Sequence, residues 1–137
     1  MNLKAFLNPV KEENVKYAIS NRFVDDEGNP VEWELKSIPS KLDEELRKAC
    51  TERIVLSKNK QTKELNAMKY MDMLVVASVV EPNLNSKELQ DAYGVMGAEE
   101  LLKAMLKPGE LIDLQQKVSE INGFDVTMDD LVNKAKN

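Results

Sequence analysis

Between residues 88 and 124 the chain reads ELQDAYGVMGAEELLKAMLKPGELIDLQQKVSEINGF, a run of short helical segments cut at Gly94, Gly97, Pro108-Gly109 and Gly123. Segments this short are marginal in isolation and hold their shape only by packing apolar sides together. The stripes for that packing are present. Leu101, Leu102, Met105 and Leu106 mark the segment 98–106, and Leu111, Leu114, Val118 and Ile121 follow at i, i+3, i+7 and i+10. Ser86 suits the N-cap of a helix over 87–93 with Gly94 as its stop. Pro108 opens the next helix, where a missing N–H costs nothing. Thr127-Met128-Asp129-Asp130 is a further cap signal, opening a last helix with Leu131 and Val132 as its apolar contacts. This is the pattern of a helical adaptor.

Upstream the period changes. Residues 15–23 and 31–38 alternate apolar and polar positions, with Val15, Tyr17, Ile19 and Phe23 on one face and Val31, Trp33 and Leu35 on another, and read as paired strands. Asp25-Asp26-Glu27-Gly28-Asn29-Pro30 between them is dense in turn formers, so an antiparallel hairpin is expected, with edges open to a strand from another chain. That acidic loop lacks the alternating ligands and distant glutamate of a calcium loop and reads as a solvated turn. Ser40-Lys41-Leu42-Asp43 resembles a capping box, opening a helix whose face carries Leu42, Leu46, Ala49, Cys50 and Ile54. Residues 57–63 read as a polar linker. The longest helix is expected over 64–80, with Leu65, Met68, Met71, Leu74 and Val75 along one side. The β-branched residues at 75–80 leave a strand ending open there. Residues 1–14 form an arm with Leu3, Phe6, Leu7 and Val10 at helical spacing until Pro9 interferes, either docked on the core or offered to a partner.

Composition narrows the function. With no histidine, the commonest general base and metal ligand are missing, and Cys50 has no imidazole to activate it. No carboxylate pair is placed for acid–base work, so no catalytic residue, cofactor or metal is expected. A net charge of −5 disfavours nucleic acid as a partner. Residues 89–106 imitate a helix-turn-helix, but Glu99 and Glu100 open the would-be recognition helix, and residues 98–130 hold eight carboxylates against three lysines. The longest apolar stretch, 73–80, is eight residues, so no membrane span is expected. A lone cysteine and no visible signal peptide fit the bacterial cytoplasm.

The expected fold is therefore α+β, mainly α: an N-terminal antiparallel β-hairpin packed on a bundle of about five to six short helices. All of 1–137 forms one domain, with an arm at 1–14, the hairpin at 15–38 and a helical part at 40–136. Partner binding is assigned to Trp33, Met71, Leu102 and Met105, through helix-in-groove docking or strand addition at the hairpin.

Ser20, Arg22, Phe23, Gly28, Pro30 and Trp33, together with Leu89, Gly94, Leu101, Leu102, Met105, Gly109, Ile121, Gly123 and Phe124, give the chain a wording that resembles the XkdN-like tail assembly chaperones of phages and defective prophages. The resemblance covers residues 15–124 and rests on scattered short identities. It implies a non-enzymatic assembly factor that holds the long helical tape-measure protein soluble while tail-tube subunits polymerise, and that is absent from the finished tail. The implied partners are the tape-measure protein and the tail-tube protein; apart from the resemblance, a homo-oligomer is a further expectation. A structural component retained in the tail, and more remotely a small regulatory protein of the helix-turn-helix kind, are the alternatives.

Overall fold

In the computed structural model, which describes residues 1–124, the turn at residues 25–30 forms as its composition demands. The Asp25 Oδ1 accepts from the N–H groups of Glu27 and Asn29, both at 2.9 Å, and Gly28 takes φ 84°, a conformation that a side chain would oppose. On either side, β1 (Val15–Tyr17) pairs antiparallel with β2 (Trp33–Leu35), placing Tyr17 opposite Trp33 and Val15 opposite Leu35. The ladder is much shorter than the expected 15–23 and 31–38. Ile19 and Ser20 reach the core from the connecting loop instead, with Phe23 half-buried. A third strand, β5 (Val79–Glu81), pairs antiparallel with the other side of β2, so the sheet order is β1-β2-β5. The expectation that both hairpin edges stay open is corrected: β2 is central, and β5 covers one side.

β5 also corrects the helix expected over 64–80. That helix, α3 (Ala67–Ser78), is capped by Asn66, whose side chain accepts from the Lys69 N–H at 3.1 Å, and it stops where Val79 and Val80 enter the sheet. Its buried face is Tyr70, Leu74, Val75 and Ser78. Met68 is exposed and Leu65 belongs to a strand, so the expected apolar side is rotated.

Helix α2 (Ser40–Ala49) starts at the expected place without the expected cap. Pro39 holds the N-cap position, no side chain caps it, and Asp43 turns to Arg47 and Tyr70 instead. Cys50 is fully buried, with its sulfur 3.2 Å from that of Met73. Beyond it the chain does not continue as helix. β3 (Thr51–Ser57) and β4 (Lys60–Leu65) form a separate antiparallel ribbon, replacing the helical position of Ile54 and the linker at 57–63. Thr51, Ile54 and Val55 are β-branched and favour that choice.

The C-terminal helices follow their punctuation. α4 (Lys87–Ala92) is capped by the Ser86 hydroxyl, which accepts from the Leu89 N–H at 3.2 Å. α5 (Ala98–Met105) follows Gly97, and α6 (Pro108–Ile121) carries its proline at the start. Leu35, Leu74, Val75, Leu101, Leu102, Leu114 and Val118 are sealed between sheet and helices. Asn122 ties three parts of this core: its amide donates to the Ser78 Oγ at 3.1 Å and to the Val118 carbonyl at 2.9 Å, and its Oδ1 accepts from the Ile38 N–H at 2.9 Å. At the other end, α1 (Leu3–Leu7) buries none of its residues. The architecture is α+β: a sheet containing the N-terminal hairpin, a second ribbon and, among the described residues, six helices. The cap at Thr127 and the last helix fall outside the described residues. No described helix is long and apolar enough to cross a membrane.

Candidate partner-binding surfaces

Two of the four residues assigned to partner binding meet at one place. Trp33 on β2 and Met105 at the end of α5 line a groove of about 390 Å3, together with Phe23, Val24, Val31, Pro82 and Leu89. The loop before β2, the strand, the turn after β5 and two helices thus contribute apolar side chains to a single concave surface. Phe23 and Trp33 pack with ring centroids 6.3 Å apart and planes tilted by 47°. Glu32 and Glu81 stand on the rim, and the groove continues past Pro82 and Leu89 into a more polar depression that includes Glu88. An apolar interior with few polar groups around it is the usual composition of a binding pocket.

One wall is held by a long-range clamp. Arg22 donates from its guanidinium to both carboxylate oxygens of Glu110 and, at 2.9 Å, to the Met105 carbonyl, while lying 5.2 Å from the Phe23 ring centroid. Glu110 also accepts from the Lys107 N–H at 2.8 Å, closing the first turn of α6. The Arg22 hydrogen bond, then those from Ser20 and the Lys107 backbone, pull the Glu110 carboxyl down to about 2. The clamp joins the loop carrying Phe23 to the α5–α6 junction and occupies the cation that lines the groove.

The other assigned residues lie elsewhere. Leu102 is sealed in the core beneath the groove and reaches no surface. Met71, half-buried on α3, lines a separate depression of about 440 Å3 with Ile112, Phe124 and polar residues of α6. Phe23 and Leu89 carry the family resemblance but were not assigned to the site. Val24 and Val31 were missed because their places on either side of the turn become a wall only when α4 and α5 pack behind β2.

Two further surfaces are open. The β3–β4 ribbon is exposed except at Ile54 and Thr62, which are half-buried. Its register sets Arg53 directly opposite Lys63, and Glu52 opposite Glu64. Among the described residues, Arg53, Lys58, Lys60 and Lys63 take part in no ion pair. The arm around α1 is the second open surface.

Burial pushes the Cys50 thiol upward, away from the reactive thiolate. Asp43, Arg47 and Tyr70 form a hydrogen-bonded tie between α2 and α3, with the Tyr70 hydroxyl pushed up to about 12 by burial and by its bond to Asp43. Among the described residues no cluster of three or more His, Cys, Asp or Glu is arranged to hold a metal ion.

The fold is that of a small α+β protein with an apolar groove beside β2. The sequence profile of the phage XkdN-like tail assembly chaperone proteins matches residues 3–136, and the chain belongs to that family. It is 36% identical over 129 residues to the uncharacterized protein YqbN of Bacillus subtilis strain 168, covering 93% of this chain and 87% of YqbN. It is 33% identical over 129 residues to the phage-like element PBSX protein XkdN of the same strain, with the same coverage of each chain. The crystal structure of the protein YqbN superposes with a TM-score of 0.73 at 33% identity, covering 88% of this chain and 96% of that one.

Proposed function

We propose that this chain is a non-enzymatic tail assembly chaperone that binds the tape-measure protein and keeps it soluble in the host cytoplasm while tail-tube subunits assemble. Membership of the tail assembly chaperone family supports the role. The observation that carries the binding mode is the apolar groove floored by Trp33 and Met105. An amphipathic helix docks by laying residues at i, i+3, i+4 and i+7 into such a groove. In this reading Trp33 and Met105 touch the client, Leu102 supports Met105 from beneath, and Met71 offers a second contact on the α3–α6 side.

Co-expression with the neighbouring tape-measure protein tests it. The client is expected to become soluble and to elute with this chain in size exclusion with light scattering. Val31→Glu, at an exposed position on the groove wall, is expected to abolish co-elution without unfolding the chain. A client that stays insoluble while this chain elutes alone would remove the main support for the chaperone reading. Incorporation of the chain into purified tails would favour a structural component instead.

A further inference from the structure

The arm around α1 is apolar and uncovered. Leu3, Phe6, Leu7 and Val10 are 55%, 73%, 68% and 92% exposed. An apolar stripe left this open is an interaction surface lacking its partner. Over residues 1–11 the charged side chains are Lys4 and Lys11, so the stripe sits on a basic segment of a chain with net charge −5. The groove has the opposite sign. Its interior is apolar, Glu32 and Glu81 stand on its rim, and its one lining cation, Arg22, is already engaged by Glu110. The arm also leaves its own body in another direction. Asn14 donates to Glu34 at 3.1 Å and the Ser37 hydroxyl donates to Glu12 at 3.4 Å, so the chain departs from β1 toward residues 36–37 and not toward the groove mouth at Glu32.

We propose that the groove receives the arm of a second copy of this chain. Phe6 and Leu7 enter the apolar interior while Lys4 and Lys11 approach the carboxylates of Glu32 and Glu81. Reciprocal exchange of arms closes a two-fold dimer in which each groove is filled. Arm and client take the same groove, so a bound client is expected to displace the arm; loss of tape-measure binding with the arm-mediated dimer intact would sink the client reading alone, and a monomeric chain that still binds the client would sink this one.

Light scattering of the full chain over a concentration series, beside a chain starting at Glu12 and a Phe6→Glu variant, provides the test. Because α1 buries nothing, neither change disturbs the core. The full chain is expected to dimerise, and both variants to weaken dimerisation by about tenfold or more. Lys4→Glu combined with Lys11→Glu is expected to weaken it at low salt, with the difference fading as ionic strength rises. Mixing Phe6→Cys copies with Val31→Cys copies under mild oxidation is expected to give a disulfide-linked pair. Phe6→Cys mixed with Ile112→Cys, an exposed position on α6 outside the groove, is expected to give none. A full chain that stays monomeric, association that survives both arm variants, or equal linkage to Ile112→Cys would each overturn the proposal.

Discussion

β2 and β3 are both strands with apolar residues, Trp33 and Leu35 alternating in one and Ile54, Val55 and Leu56 consecutive in the other, and they end in opposite surroundings. Leu35 of β2 is sealed and Trp33 keeps only 2% of its surface, at the groove floor, with β1 and β5 on either side of the strand. Val55 and Leu56 of β3 stand 67% and 65% exposed, and among the described residues β4 is the one strand that pairs with β3. A lone ribbon is marginal in water, and like charges directly across its ladder weaken it further. The comparison shows that apolar content alone does not decide burial. What decides it is whether residues later in the chain return to cover the strand: Trp33 and Leu35 share one core with residues of α3, α5 and α6, whereas Val55 and Leu56 join no part of it.

The largest expected effect separates the two strands directly. Leu35→Ala removes a fully buried side chain and is expected to cost about 2–5 kcal/mol, whereas Leu56→Ala is expected to stay within about 0.5 kcal/mol, both read by chemical denaturation. Comparable losses at the two positions would mean that the ribbon packs as tightly as the sheet.

The second prediction concerns the clamp beside β2. Glu110 ionises near 2 in the folded chain against an ordinary 4.5, so its contribution is fully present above about pH 4.5 and is lost as pH falls through about 2. Glu110→Gln is therefore expected to be less stable than the parent at neutral pH, with the gap closing across that acid window. The difference between the two chains in denaturant midpoint, measured at several pH values, isolates this group from other carboxylates. A gap independent of pH would show that the charge of Glu110 is not what holds Arg22.

The smallest effect belongs to the ribbon. Lys63→Glu replaces a like-charge pair with Arg53 by an opposite one and is expected to stabilise β3–β4 by about 0.2–1 kcal/mol, visible as slower amide exchange in residues 51–65. No change would indicate that the two side chains already splay into solvent.

The parts of the fold legible in the sequence were those fixed by local chemistry. Gly94, Gly97 and Gly123 all take positive φ at the breaks between helices, Ser86 caps α4, and Pro108 opens α6. The ribbon was not legible, because Leu46, Cys50 and Ile54 at intervals of four extend a helical stripe while Thr51, Ile54 and Val55 suit a strand, and no local rule ranks the two. Asn66 as a cap carried a usable signal that the expected helix start at 64 obscured. At the site, Trp33 and Met105 were found as large apolar residues in the family wording, but nothing local distinguishes a groove floor from the sealed position of Leu102. The Arg22–Glu110 clamp spans 88 residues and arises only once α6 packs beside the loop before β2.

The measurement that tests the central claim most directly is amide exchange of the full chain, alone and bound to co-expressed tape-measure protein. Slowed exchange on binding at residues 22–24, 31–33 and 81–89, with residues 51–65 unchanged, is the result expected if the groove is the client site. Slowing confined to the β3–β4 ribbon, with the groove segments unaffected, would contradict it.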